Sequence, residues 1–343
     1  MLERNVYKQL LKWKGSAGKK RCLMVRGARQ VGKTWILKEF GKKEYRSLIY
    51  INCHQNDKVR TIFKRDYDMG RILRDLSAVS GETILPLESL IVFDEVQDIP
   101  EVLASLKYFC EDIPDYHVIV AGSLLGLAIH QGISYPVGKV QQLEMFPMCF
   151  DEFLLARHGQ ERYDFLLDTP MEELGDLHDL FIDTLREYYF AGGMPEAVRA
   201  YVNKQDLKEV REIQTQILYD YQSDISKHAD RTIIQRINQV WNSIPQQLAR
   251  DNGKFKYADI QKGARAANFE LAIEWLIDAG IINRVPRLKK AGIPLRFYED
   301  FSTFKLYPLD CGLMGAMTNA PAEQILVENK VFTEYKGPTA QCQ

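Results

Sequence analysis

Short runs of apolar residues alternate with amphipathic stretches through the first 150 residues. Val6, Tyr7, Leu10 and Leu11 recur at helical spacing in an opening helix that ends at Lys14-Gly15-Ser16-Ala17-Gly18. Four continuously apolar segments follow: Cys22-Leu23-Met24-Val25, Leu48-Ile49-Tyr50-Ile51, Leu90-Ile91-Val92-Phe93 and Val118-Ile119-Val120-Ala121. Helix-patterned stretches separate them, and a fifth strand is expected near Val140 to Met145. Strands that are apolar throughout, rather than alternating, must be covered on both faces. The pattern therefore predicts an α/β fold with a parallel sheet between helices.

Residues 151–230 have a different pattern, helical around Phe153-Leu154-Leu155, Leu177 to Tyr189 and Val210 to Tyr221. Beyond them come a helix over Ile233 to Leu248, a short segment Lys256-Tyr257-Ala258-Asp259-Ile260 and a helix over Phe269 to Asp278. The turn Ala279-Gly280 and two strand-like segments, Ile281 to Leu288 and Phe304 to Leu309, complete the series. Helix, short helix, helix and hairpin is the order of a winged helix. The expected organisation is a core over 1–150, a helical lid over 151–230, a winged helix over 231–318 and a remainder over 319–343.

Composition sharpens this picture. With 46% hydrophobic, 27% charged and 11% aromatic residues, the 343-residue chain is ordinary globular protein, which excludes disordered and fibrous classes. No apolar run approaches the ~20 residues of a membrane-spanning helix. The opening Met1-Leu2-Glu3-Arg4 contains an acid and no apolar stretch, so a cytoplasmic location without a signal peptide is expected. The net charge of −1 conceals segregation: residues 151–230 carry −10, and residues 1–150 and 231–300 carry +5 each. The six cysteines show no C-x-x-C spacing, which argues against a zinc site or a disulfide framework and for reduced, mostly buried thiols. His54, His117, His130, His158, His178 and His228 show no ligand spacing either, so no metal other than Mg²⁺ is expected. Cys53-His54 is badly placed as a nucleophile and base, since neighbours on a strand face opposite ways. Trp13, Trp35, Trp241 and Trp275 fall in helical patterns and are expected in the core.

The clearest chemistry lies at Gly27-Ala28-Arg29-Gln30-Val31-Gly32-Lys33-Thr34, which fits G-x-x-x-x-G-K-[ST] between a strand and a helix. Glycines let backbone N–H groups curl round phosphate oxygens, and the helix N-terminus adds its positive end. Lys33 is placed to reach the β- and γ-phosphates of ATP, and the Thr34 hydroxyl to ligate Mg²⁺. The third strand ends in Asp94-Glu95, delivering two carboxylates at the sheet edge where ligands of open α/β sheets bind. Asp94 would hold the metal shell, and Glu95 would orient and deprotonate the attacking water. Ser123, directly after the fourth strand, could hydrogen-bond the γ-phosphate or that water, though Gly-Ser is also a common strand-ending turn.

These residues resemble the additional-strand, catalytic-glutamate branch of the P-loop NTPases, and within it the AAA-type ATPases. Four segments are similar to a prokaryotic ATPase family that joins an AAA domain to a C-terminal domain of unknown function. They are Arg26 to Thr34, Phe146-Pro147-Met148-Cys149-Phe150-Asp151-Glu152-Phe153, Tyr189-Phe190-Ala191-Gly192-Gly193-Met194-Pro195-Glu196-Ala197, and Lys305-Leu306-Tyr307-Pro308-Leu309-Asp310-Cys311-Gly312-Leu313. The resemblance implies an ATP-binding core, a helical lid, a winged helix and a following domain like restriction-endonuclease folds. Two departures stand out. Gly138-Lys139 stands where the family often has Gly-Arg, and Lys lacks the bidentate fork of Arg. After Leu326 to Tyr335, which looks like the first helix of the nuclease-like domain with Glu328 at an early acidic position, only eight residues remain. No nuclease activity is therefore expected, and the stretch from about Ala320 onward is expected to be disordered, docked on a neighbouring surface or a remnant of truncation.

Gly192-Gly193-Met194-Pro195 could touch nucleotide but reads better as a turn between lid helices. Residues 231–300 hold twelve Lys and Arg against seven acids, with Arg284, Arg287, Lys289, Lys290 and Arg296 crowded on the wing. Such a cluster suits the phosphates of duplex DNA, and equally a solvated hairpin or a protein contact. The functions left standing are a slow Mg-dependent ATPase that moves its lid and winged helix, and a switch that binds ATP or ADP with negligible turnover.

Overall fold

The computed structural model describes residues 2–16, 22–123, 138–170, 173–175, 177–249 and 254–326. The chain divides into two units, Arg4–Phe146 and Pro147–Gln343, the second including Met1–Glu3. The first unit contains α1 (Asn5–Lys14), β1 (Cys22–Gly27), α2 (Lys33–Glu44), β2 (Ser47–Asn52), α3 (Asp57–Arg65) and α4 (Met69–Ser80). It continues through β3 (Ser89–Asp94), α5 (Pro100–Glu111), β4 (His117–Ser123) and β5 (Val140–Glu144). All five strands are parallel, in the order β2-β3-β4-β1-β5. β4 lies between β1 and β3, so the glycine loop and the acidic strand end are separated by one strand at the same edge.

Every residue of β3 and β4 is buried, as their unbroken apolar runs require. Met24, Ile49, Ile91, Phe93, Val118 and Val120 join one core with Phe63 of α3, Ile72 of α4 and Leu106 of α5. Leu23, Val25, Leu90, Val92 and Ile119, one step out of phase, are buried on the other face, where α2 brings Ile36, Leu37 and Phe40 against the sheet. Trp35 departs from the expectation of burial and is 43% exposed. It precedes Ile36 by one residue, a step of about 100° that turns it away from the sheet. Trp275 is only half-buried, whereas Trp13 and Trp241 are buried as expected.

The second unit opens with helices: α6 (Phe150–His158), α7 (Gln160–Asp168), α8 (Leu177–Ala191), α9 (Pro195–Lys204) and α10 (Leu207–His228). Cys149 is exposed, unlike the buried Cys22, Cys53 and Cys311, because it caps the start of α6. Next come α11 (Ile234–Leu248), α12 (Tyr257–Ile260), α13 (Ala266–Asp278), and the antiparallel pair β6 (Ile282–Leu288) and β7 (Glu299–Pro308). Phe255 stacks on Phe304 with ring centroids 5.6 Å apart, fastening the segment before α12 to β7. The unit ends in α14 (Cys311–Met317) and α15 (Ala322–Leu326), whose Ile325 is buried. Residues 327–343, including Glu328 and most of the expected nuclease-like helix, lie outside the described residues. Among the described residues no helix is long and apolar enough to cross a membrane.

Three of the four family-like segments meet inside this second unit. The turn between α8 and α9 presents Gly193, whose N–H donates to the Asp310 carboxylate at 2.5 Å and whose carbonyl accepts the Met148 N–H at 2.7 Å. A Cβ on Gly193 would stand 2.0 Å from the Met148 carbonyl oxygen, so no other residue fits. Asp310 also accepts the Leu313 N–H at 2.9 Å, capping α14, and Gln214 of α10 donates to the carbonyls of Phe190 and Ala191. Asp310 is fully enclosed; burial pushes its carboxyl up, and backbone N–H groups of Gly193, Leu313 and Gly312 oppose that.

Candidate functional site

The phosphate loop leaves β1 at Gly27 and enters α2 through Gly32, which holds φ at +93° in the left-handed region that favours glycine. Lys33 donates to the carbonyls of Gly27 at 3.0 Å and Ala28 at 2.7 Å, folding its ammonium into the loop's concavity. It is only 7% exposed. Burial lowers its pKa to about 8, while Glu95 and Asp94 resist that fall. Thr34, at the first turn of α2, donates its hydroxyl to Asp94 Oδ2 at 2.6 Å. Two oxygens from residues sixty apart in sequence are thereby held side by side.

Asp94 closes β3 and is buried, accepting three hydrogen bonds: from Thr34, from the Tyr50 hydroxyl at 2.8 Å and from the Glu95 N–H at 3.0 Å. Glu95 sits at φ 51°, ψ 45°. A left-handed conformation costs a non-glycine residue roughly 1–2 kcal/mol, and such strain clusters at working sites. The Gln97 amide donates to Glu95 Oε2 at 2.6 Å, fixing its direction, and Gln97 Oε1 is buried with no partner among the described residues. Ser123 ends β4 in register with Gly27 and is buried, so it shares the edge with the loop. Gly27, Ala28, Arg29, Gln30, Val31, Gly32, Lys33, Thr34, Asp94, Glu95 and Ser123 thus lie at one sheet edge, brought there by β1, β3 and β4.

Three contributors have no signature in the sequence. Tyr50 belongs to an apolar strand, where only its hydroxyl among Leu48, Ile49 and Ile51 hinted at a polar neighbour. Gln97 lies in a one-turn 3₁₀ helix, Val96–Asp98, whose carboxamide direction depends on the turn. Arg4 gives no signal at all, yet its buried guanidinium donates to the Val31 carbonyl at 3.0 Å and the Phe146 carbonyl at 2.7 Å, tying the loop to the chain after β5. Lys139, at the position where a family arginine was sought, is paired with Glu111 at 3.0 Å.

The five basic residues expected on a wing do not act as one free cluster. Arg284 is committed internally, to Glu270 at 2.5 Å, to the Phe301 carbonyl at 3.2 Å and over the Phe304 ring at 3.9 Å, so its expected role in phosphate contact is corrected. Arg287, Lys289, Lys290 and Arg296 are exposed, and Arg287 stands 3.9 Å from Asp300. Between them project Ile293, 95% exposed, and Phe297, 82% exposed.

Comparison with known proteins agrees with this geometry. Residues 19–154 match the family model of an AAA domain, and residues 182–324 match that of a domain of unknown function, DUF8612. Among solved structures the chain is similar to the Walker-type ATPase PABY2304 of Pyrococcus abyssi, at 16% identity and a TM-score of 0.57, over 93% of this chain and 96% of that one. At that identity the likeness is one of fold. A variant of Thermotoga maritima RuvB is more distant, at 14% identity and a TM-score of 0.38, over 83% of this chain and 90% of that one. A search of curated proteins finds no match. The glycine loop, the carboxylate pair and the 2-3-4-1-5 strand order agree with the family match over residues 19–154, so this stretch is a P-loop domain of the AAA type, and residues 182–324 match a second domain of unknown function.

Proposed function

We propose that the first unit binds ATP at its glycine loop and hydrolyses it slowly, with Mg²⁺ held through Thr34 and Asp94. The observation that carries this is the 2.6 Å contact between Thr34 Oγ1 and Asp94 Oδ2, which sets two hard oxygen donors together beside a buried lysine. That donor set fits Mg²⁺, which takes one or two protein oxygens and keeps its waters. When bound there, the ion would neutralise the charge of the phosphates. Backbone N–H groups of the loop bind phosphate oxygens, and Lys33 turns its ammonium from the Gly27 and Ala28 carbonyls toward the β- and γ-phosphates. Glu95, oriented by Gln97, takes a proton from the water in line with the γ-phosphate. Ser123 donates to the γ-phosphate or to that water. ADP and phosphate leave, and the change of charge at the loop moves the lid and the winged helix.

Glu95→Gln tests this reading: it keeps the shape and removes the base. ATP binding should persist while phosphate release falls at least ~100-fold, the usual scale for a lost general base; unchanged turnover would reduce Glu95 to a turn residue. The second reading, a nucleotide-binding switch with negligible turnover, is favoured by Lys139, which lacks the guanidinium fork and is engaged with Glu111. Nucleotide bound by the unaltered protein with no detectable phosphate release selects it. A cytoplasmic location belongs to the same proposal.

The partner of the wing, in our reading, is duplex DNA or a protein met through Arg287, Lys289, Lys290 and Arg296. The exposed Ile293 and Phe297 favour protein, because protein–DNA interfaces are polar and strongly basic whereas protein interfaces have aromatic centres. Charge reversal at Lys289 and Lys290 weakens any duplex binding and flattens its salt dependence; no binding at low salt leaves the protein partner.

A further inference from the structure

Cys22 and Cys110 are far apart in sequence and adjacent in space. Cys22 opens β1, Cys110 lies in the last turn of α5, and their sulfurs are 3.0 Å apart. A disulfide has S–S of about 2.05 Å, so an approach of about 1 Å separates contact from bond. The two thiols are not equivalent. Cys22 is 4% exposed, and its sulfur also faces the Leu106 carbonyl at 3.7 Å. Cys110 is only half-buried, and both cysteines line a narrow cleft with Trp13, Ser16, Tyr116 and His117 that has room for about one water-sized molecule. The Cys110 sulfur accepts the Cys22 backbone N–H at 3.3 Å.

We infer that Cys22 and Cys110 form a peroxide-sensitive thiol pair, with Cys110 as the attacking sulfur and Cys22 as the resolving one. The contact with the Cys22 thiol, the Cys22 N–H and the charge of Lys139 hold the Cys110 thiol below the ordinary range, while contact with Cys110 and burial push Cys22 up; the Cys110 sulfur also lies 3.3 Å from the Lys139 carbonyl. The thiolate is the nucleophile, so this asymmetry assigns the order of events. Cys110 thiolate attacks one oxygen of a hydroperoxide, the O–O bond breaks, and a sulfenic acid forms as hydroxide leaves. The Cys22 thiol then attacks that sulfur, the S–S bond forms, and the sulfenic oxygen departs as water with the thiol proton. Two thiols lose two electrons in total, and the hydroperoxide accepts them. The bond fastens α5 to the start of β1, at the edge of the sheet opposite Gly27.

The test uses the reduced full chain, treated with one equivalent of hydrogen peroxide, alkylated and mapped without reduction. A single cross-linked peptide pair containing Cys22 and Cys110, lighter by two hydrogens and reversed by dithiothreitol, is expected. In Cys22→Ser the sulfenic acid has no resolving partner, so a 1,3-diketone probe should label Cys110; in Cys110→Ser it should leave Cys22 unlabelled. Labelling of the exposed Cys149 ahead of Cys110, scrambled disulfides, or Cys22 still open to alkylation after peroxide would overturn the proposal. Mapping of the unsubstituted chain reads the pairing even where a variant folds poorly.

Discussion

The phosphate site and the junction at Gly193 are built by opposite routes. At the phosphate site, eight consecutive residues and the end of one strand supply side chains whose type announces their chemistry. The decisive contact, Thr34 to Asp94, joins them across sixty residues because β1 and β3 end at the same edge. At the junction, Met148, Gly193 and Asp310 meet through backbone atoms, and the bond from Gly193 to Asp310 spans 117 residues. Both places carry glycine-rich motifs that look equally prominent in the sequence. Each contains a glycine that makes room for backbone, since a Cβ on Gly27 would stand 2.2 Å from the Met145 carbonyl oxygen and one on Gly193 2.0 Å from that of Met148, but only the first adds a left-handed Gly32 leading directly into Lys33 and Thr34. A glycine motif therefore acquires functional meaning from the side chains it places beside it.

The sharpest way to break that contrast is Gly193→Ala. The added carbon would stand 2.0 Å from the Met148 carbonyl, so the second unit should lose at least ~3 kcal/mol or fail to fold. Calorimetric unfolding in which the first unit is unshifted, with intact Mg-ATP binding, is the expected result; loss of both together would deny the two sites their independence. Asp310→Ala should have a smaller effect of about 2–3 kcal/mol, because it leaves the Gly193 and Leu313 N–H groups buried without an acceptor. Denaturant titration against the unaltered chain reads it.

Lys33 provides the corresponding test at the phosphate site. Its value of about 8 lies below the 10.5 of an exposed lysine, so its buried charge destabilises the nucleotide-free fold by roughly 3 kcal/mol at pH 7. That penalty fades as pH rises from about 8 toward 10.5, and Lys33→Met should remove it and raise the melting temperature of the nucleotide-free protein. ATP needs the charged form, so its affinity should weaken about tenfold between pH 7 and pH 9. A flat pH profile over that range would show that Lys33 does not meet phosphate. The smallest effect is expected from Arg4→Ala, which frees the Val31 carbonyl from its guanidinium clamp and should weaken ATP binding up to about tenfold by loosening the loop.

Much of the first unit was legible in the sequence because its strands are buried on both faces. Ser89–Asp94 and His117–Ser123 extend the apolar runs by one or two residues at each end, where hydrogen bonding rather than hydrophobicity decides the boundary. The carboxylate pair was legible because adjacent acids ending an apolar strand have few other uses. Tyr50 and Arg4 were not, since each acts through a partner that only tertiary structure brings near. Arg284 misled for the same reason: a basic residue in a basic segment signals an external anion, and Glu270 on the neighbouring helix had already claimed it. The exposure of Trp35 shows the limit of helical pattern where an element is short and its core face holds only three large apolar residues. Cys22 and Cys110 escaped notice because spacing rules see only cysteines close in sequence.

The central claim is that the loop from Gly27 to Thr34 is a phosphate site whose charge is supplied by Lys33. Calorimetric titration of the full chain with Mg-ATP, in parallel with Lys33→Ala, tests it most directly. One ATP bound per chain, and binding lost in the variant while its fold is retained by circular dichroism, is the predicted result. Retained micromolar affinity in Lys33→Ala, or no binding by the unaltered chain, would contradict it.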